Sequence, residues 1–334
     1  MKEIAEFIIK KIESLECGDD CPSFSNNELI PVNISQENYH EIKPRKDEQI
    51  ICFVDGGNSE LISANNISLQ FIRMAAVFYK GQQKLFRKNK EFYCLTYFED
   101  NFFKTKIFPK DAFLEPTFNS FDETLMSGRT RVKITKIAQA IRRLAELSFA
   151  EEQAKNSSCN FLVLDGSLEE RFTYENEYLK KLFETCKKQN ILLSGVSKTN
   201  SILTQKGDSL TKKLLSRKEG CWFYFPVAKN DFEVLKINIS FAKLHEKSKY
   251  IFRIDVSEQN KTKDVCEILL NMAKDPVFIG YPYGLIETDG VARVSNREKE
   301  YLKTKLMVYF KRDQQKIKDC ISSQDAHDIL DNIS

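Results

Sequence analysis

A chain of 334 residues, 42% apolar and 30% charged, is long enough to bury a full core in one large domain or two ordinary ones. Its 51 basic and 48 acidic residues leave a net charge of +3, which excludes a histone-like polycation but leaves room for a local basic groove. No apolar run approaches the roughly 20 residues of a membrane helix, and acids interrupt the N-terminal apolar stretch, so a cytoplasmic protein without signal peptide or membrane span is expected.

Residues 1–16 read as an amphipathic helix with Ile4, Phe7, Ile8, Ile12 and Leu15 on one face. Such a face exceeds what a core of this size demands, and part of it is expected to dock on a second subunit or a partner. Residues 17–48 are polar and turn-rich. An abrupt apolar run at 50–54 then reads as a buried strand, closed by a tight turn at Asp55-Gly56-Gly57-Asn58. Two further strands are expected at 69–79 and 91–98 with a basic connection between them, and residues 101–129 read as irregular. From 133 to 153, Ile134, Ile137, Ala138, Ile141, Leu144, Ala145 and Phe149 recur at helical steps. A strand at 160–164 closes on Asp165-Gly166-Ser167, and a helix at 175–189 leads to a third apolar strand at 191–196. Strand, helix, strand with short connections predicts a right-handed parallel unit. The basic stretch 206–220 reads as helical, strands are expected at 221–227 and 250–256, and 264–274 reads as a helix. Residues 280–290 read as a rigid turn-rich segment, and Ser295 with Glu298 forms a capping box that opens a C-terminal helix. These elements make one α/β domain with appended pieces: an N-terminal helix and irregular segment over 1–48, and the main domain over 49–334.

Nine cysteines are scattered, and most of them sit in apolar runs, as small buried hydrophobes do. Cys17 and Cys21 form one close pair, but no second Cys/His cluster completes a zinc site. With only His40, His245 and His327, chemistry must rest on carboxylates. Asp55 and Asp165 each follow a buried apolar run and precede a glycine. Acids placed at strand ends are fixed by the core yet open to a ligand, and two on adjacent strands can share a divalent cation. Metal-assisted phosphodiester cleavage employs two ions ~4 Å apart and usually a third carboxylate. Glu146, on the border of the helical stripe, is a candidate, although from spacing alone an ion pair with Arg142 or Arg143 is the better explanation. Lys198 stands at a strand end, Asp255 pairs naturally with Arg253 on one strand face, and Tyr281 and Tyr283 of the Tyr-Pro-Tyr segment suit either phosphate and base contacts or a packed turn.

VDGGNSE (54–60), RRLAELSFA (142–150), VLDGSL (163–168), GVSKTN (195–200) and GYPYGLIETDGVARVS (280–295) occur in the order found in the NurA nuclease family, which the chain resembles from about residue 50 to about residue 310. That family comprises archaeal and bacterial DNA-end-processing nucleases that work with a HerA-type hexameric translocase. The resemblance implies an RNase H-like mixed sheet flanked by helices, manganese- or magnesium-dependent DNA cleavage, and a homodimer. It assigns Asp55, Glu146 and Asp165 as metal-binding carboxylates and Lys198 as a contact to the scissile phosphate. One departure stands out: family members place a histidine near Thr288-Asp289, whereas this chain has none between His245 and His327. Asp289 is the expected substitute ligand. DNA would follow the basic stretches 80–90, 129–136 and 206–218, with Arg129 and Arg131 nearest the site and Tyr281 and Tyr283 beside it. Two other readings compete: a DNA- or HerA-binding subunit whose site has weakened, which the missing histidine favours, and an actin-like phosphotransferase. The second lacks a later glycine-rich nucleotide loop, with 12 glycines in all and none clustered beyond Gly56-Gly57.

Overall fold

The computed structural model describes residues 1–16, 21–24, 29–45, 48–64, 66–110, 114–199, 201–230, 237–310 and 313–317. Its centre is an 11-stranded mixed sheet. In chain order the strands are β1 (Tyr39–Glu41), β2 (Ile50–Ala64), β3 (Ile67–Lys80), β4 (Gln83–Glu99), β5 (Phe102–Phe108), β6 (Phe118–Asn119), β7 (Phe161–Asp165), β8 (Leu192–Ser197), β9 (Trp222–Tyr224), β10 (Asn238–Lys243) and β11 (Phe252–Val256). In space they run β1-β9-β10-β11-β8-β7-β2-β3-β4-β5-β6. The helices are α1 (Lys2–Glu16), α2 (Ile134–Asn156), α3 (Glu175–Lys188), α4 (Leu210–Arg217), α5 (Thr262–Asn271), α6 (Tyr283–Ala292) and α7 (Asn296–Phe310).

Side-chain alternation divides the core into two layers. Along β2, Cys52 and Val54 face one layer with Ile137, Ile141 and Leu144 of α2 and Leu179 and Leu182 of α3. Ile51 and Phe53 face the other with Val265 and Leu269 of α5 and Leu285 of α6. β7 is covered in the same way on both faces, which is why its sequence is an unbroken apolar run. It runs parallel to β2 on one side and to β8 on the other. The expected parallel strand–helix–strand unit is therefore β7-α3-β8, and α2 lies across β2, β3 and β7.

Several elements differ from expectation. The apolar run at 50–54 does not end in a turn. β2 continues through Asp55, Gly56 and Gly57 to Ala64, because β3 pairs with it along that length, with Asp55 opposite Ala75 and Gly57 opposite Arg73. The glycines serve a different purpose: a Cβ on Gly57 would lie 2.2 Å from the Ala292 carbonyl oxygen, so only glycine lets the end of α6 cross the strand there. The basic connection expected at 80–90 shrinks to a turn at Gly81 and Gln82, and its remaining residues pair with β3 as the start of β4. β5 and β6 occupy part of the stretch read as irregular; in β5, Phe103, Thr105 and Ile107 alternate inward. β10 was not anticipated. Residues 283–292 form α6 and not a turn, because Gly284 seats the helix against the Phe53 ring, where a Cβ would be 2.2 Å away.

Part of the N-terminal region is tied to the rest by pairing. Tyr39–Glu41 joins the main sheet through β9, Pro22–Ser23 pairs with Leu203–Thr204, and Leu29–Pro31 pairs with Ala228–Asn230. The expected amphipathic helix is α1, with Ile4, Phe7, Ile8 and Ile9 all exposed. The capping residue of α7 is as read, since Ser295 Oγ accepts from the Glu298 N–H at 3.2 Å. Cys52, Cys94, Cys159, Cys186 and Cys266 are buried thiols, and Cys17 lies outside the described residues. Among the described residues no helix is long and apolar enough to cross a membrane.

Candidate active site

β2 and β7 pair in parallel up to Val54 opposite Leu164. One residue further, Asp55 and Asp165 stand side by side where β7 ends and β2 runs on. Period-two alternation turns both away from α2, toward the face that α6 covers. Asp289 reaches them from α6. One carboxylate oxygen from each of the three aspartates lies within 4.8 Å of the others. Oxygen ligands sit 2.0–2.6 Å from a bound magnesium or calcium ion, so oxygens around one cation are about 3–5 Å apart. The spacing and the hard-oxygen donor set fit a divalent cation.

The electrostatics of the cluster favour a cation as well. Burial, then the charges of Glu146 and Asp165, push the Asp55 carboxyl up to about 8, against the opposing pull of the Gly56 N–H and Arg142. The Gly56 N–H donates to Asp55 Oδ1 at 2.7 Å and fixes that carboxylate. Lys198 Nζ lies 2.6 Å from Asp165 Oδ2 and 3.5 Å from Asp289 Oδ1. Burial works against its charge, but Asp165 and then Asp289 outweigh this and raise its pKa. Arg293 Nη2 donates to Asp289 Oδ2 at 2.8 Å.

Glu146 stands outside the three-aspartate group. It approaches from the α2 side, 1% exposed, with Arg143 Nη1 2.7 Å from Oε1 and Arg142 Nη1 3.3 Å from Oε2. Burial raises its pKa, and Arg143 and Arg142 pull it back. The ion pairs that sequence spacing offered as an alternative are thus present, yet Glu146 still contributes to the field at Asp55. The same arginines shape the site further: Arg142 donates to the Gly56 carbonyl at 2.6 Å, and Arg143 to Glu175 at 2.8 Å and to the Ser167 carbonyl at 2.6 Å. Glu175, fully buried, went unnoticed in the sequence because its partner lies on another helix. The expected Arg253–Asp255 pair forms at 2.7 Å, and Asp255 Oδ2 also accepts from the Leu168 N–H, which anchors the loop after Asp165.

Tyr281 is a core residue, 0% exposed, packed on Phe252 and Phe278, so it has no free face for a base. Its hydroxyl donates to Asp165 Oδ1 at 3.3 Å, and Lys198 Nζ sits 5.4 Å from its ring centre. Tyr283, at 39% exposure, keeps an accessible ring beside Tyr79. Arg131 is engaged away from the carboxylates. The Arg131 guanidinium stacks 4.4 Å from the Phe98 ring centre, and α2 rises about 18 Å between Ile134 and Glu146. In the first basic stretch Lys84 pairs with Glu287 of α6, and Lys90 with Glu152 of α2.

Fold and site together define a mixed α/β protein with a partly buried carboxylate centre where two parallel strands part, roofed by a short helix. A family model described as the NurA domain matches residues 49–294, and the chain belongs to the NurA family. The crystal structure of the NurA nuclease from Sulfolobus solfataricus aligns with a TM-score of 0.57 at 12% identity, covering 93% of this chain and 95% of that one. At that identity the likeness is one of fold. The catalytic domain of human endonuclease V aligns with a TM-score of 0.43 at 11% identity, covering 92% and 98% of the two chains. Endonuclease V of Ciona intestinalis, solved with a 24mer DNA containing an inosine, gives 0.38 at 13% identity over 87% and 97%. No curated protein sequence matches significantly. Family membership supports a nuclease.

Proposed function

We propose that the protein is a metal-dependent deoxyribonuclease that hydrolyses DNA phosphodiester bonds, as an exonuclease and also on single strands internally, in end resection with a HerA-type translocase. The observation that carries this reading is the convergence of Asp55, Asp165 and Asp289 within 4.8 Å at a fixed edge of the sheet. These residues would hold manganese or magnesium, with Glu146 behind Asp55 as a fourth carboxylate and room in the family mechanism for a second ion. The bound ions supply charge stabilisation to the attacking and leaving oxygens of an in-line displacement.

The chain's own residues do the rest. Burial raises the Asp55 carboxyl, and Asp55 would hold the ion as its carboxylate, the form that a nearby positive charge favours. Lys198 donates to Asp165 Oδ2 and Tyr281 to Oδ1, so the two together set the orientation of that carboxylate. Lys198, protonated and half-exposed, offsets charge on the phosphate as the substrate docks. Water attacks phosphorus, the bond to the leaving oxygen breaks, and no covalent enzyme intermediate is required. Asp289 stands where the family places a histidine, and it makes the donor set all oxygen, which suits magnesium as well as manganese.

The homodimer and the translocase belong to the same proposal. The uncovered apolar residues of α1 support a partner surface. Incubating end-labelled DNA with the protein in manganese, magnesium or chelator tests the activity. Cleavage is expected with either metal and none with chelator. Binding of DNA without cleavage under any metal would instead favour a subunit whose site has weakened.

A further inference from the structure

Two clefts flank the carboxylate centre. One, of about 620 Å3, is lined in part by Gly56, Asn58, Lys136 and Arg142. The other, of about 900 Å3, is lined in part by Asp165, Ser167, Lys198 and Arg253. Arg171 lies on the wall of both. It sits between β7 and α3, on the segment that leads away from Asp165.

Glu146 and Glu175 are buried carboxylates, and three guanidinium groups meet them. Arg143, 2% exposed, takes Glu175 Oε1 at 2.8 Å and Glu146 Oε1 at 2.7 Å. Arg142, 29% exposed, takes Glu146 Oε2 at 3.3 Å. Arg171, 50% exposed, is left with Nη2 at 3.5 Å from Glu175 Oε1, an oxygen Arg143 already holds more closely. The other Glu175 oxygen accepts from the Arg171 backbone N–H at 2.9 Å. Of the three guanidinium groups that face Glu146 and Glu175, Arg171 is the most exposed and the least closely held, although Asp55 and Asp165 lie nearby on the far side of Glu146. Burial and then the Arg143 charge lower the Arg171 pKa, but a guanidinium stays protonated throughout the working range.

We propose that Arg171 is the centre of a phosphate-binding subsite, which takes a backbone phosphate of the DNA strand next to the scissile one as the strand passes between the two clefts. The subsite rests on the nuclease reading for its substrate. Its geometry suits that ligand: a planar guanidinium with free donors binds a phosphate in bidentate fashion, and the neighbouring aspartates, once a cation neutralises them, no longer repel it.

The test is fluorescence anisotropy of a labelled single-stranded oligonucleotide of about 20 nucleotides, titrated with the protein in calcium chloride over about 50–200 mM salt. Arg171→Ala is expected to bind several-fold more weakly and to flatten the log–log salt slope by about 0.7, the loss of one phosphate contact on a single strand. Arg171→Lys should keep most of the slope. Should Arg171→Ala melt well below the parent, Arg171→Gln, which keeps a donor toward Glu175, is read in its place. A neutral variant with the parent's affinity and slope overturns the subsite, as does a parent without measurable DNA binding. If the parent shows an Arg171-dependent slope but no metal-dependent cleavage, the subsite stands and the nuclease reading falls. If it cleaves with a slope indifferent to Arg171, only the subsite falls.

Discussion

Replacing Asp55 by asparagine should stabilise the metal-free protein while abolishing its response to metal. The folded-state carboxyl titrates at about 8 against 3.8 for the free group, so the folded chain binds the proton more tightly than the unfolded chain. The stability this proton confers is complete below the unfolded value and is lost as pH rises through the folded one. Each unit is worth about 1.4 kcal/mol, so a fixed site would impose a penalty on the order of 5 kcal/mol above pH 8. Water entry and side-chain relaxation reduce such penalties, and a net gain of about 1–3 kcal/mol is expected for Asp55→Asn. In a chain of this length that raises Tm by roughly 1–4 °C. Asparagine keeps an oxygen for the Gly56 N–H, so no other contact is lost. Thermal melts in chelator at pH 5, 7 and 8.5 should show the variant's advantage growing with pH. With manganese at about 100 times its Kd, the parent should gain about 2.7 kcal/mol and the variant far less. A variant no more stable than the parent at pH 8.5, or one that keeps the parent's full manganese shift, refutes the reasoning.

Other predictions concern single residues and the N-terminus. Asp289→Ala should raise the metal concentration needed for cleavage, and Asp289→His should shift preference from magnesium toward manganese, both read from metal titrations of the cleavage rate; identical titrations would reduce Asp289 to a helix acid paired with Arg293. Gly57→Ala should cost about 1–3 kcal/mol and slow cleavage, because the new methyl meets the Ala292 carbonyl and displaces the helix that carries Asp289. Chemical denaturation and an activity assay on the same preparation check this, and unchanged values would show that α6 yields without loss. Deleting residues 1–16 should weaken self-association or translocase binding, measured by analytical ultracentrifugation, while manganese affinity stays as in the full chain.

How much of this was legible in the sequence depended on how local each cause is. β7 and its terminal Asp165 could be read because an apolar run of strand length followed by Asp-Gly reflects burial on two faces and an abrupt exit from the core. α2 could be read because its stripe repeats at helical spacing. Asp55 was recognised as an acid after a buried run, but its surroundings were misjudged. Asp-Gly-Gly-Asn has the chemistry of a turn, and nothing local reveals that β3 keeps it extended or that Gly57 is small to admit Ala292. α6 was missed for a related reason: Tyr-Gly-Leu-Ile-Glu-Thr-Asp-Gly has weak helical propensity, and its helicity comes from packing on Phe53. Glu146 was placed by resemblance, whereas its spacing to Arg142 and Arg143 pointed to ion pairs that the structure contains. The Arg143–Glu175 contact joins residues on separate helices, so no sequence pattern signals it.

The central claim is that Asp55, Asp165 and Asp289 hold the ion that makes DNA cleavage possible. Soaking crystals of the protein in manganese chloride and recording anomalous diffraction tests it most directly. A manganese peak about 2.0–2.4 Å from carboxylate oxygens of Asp55 and Asp165, with Asp289 completing the shell, is the expected result. A crystal that binds manganese elsewhere and leaves Lys198 seated between Asp165 and Asp289 would contradict it.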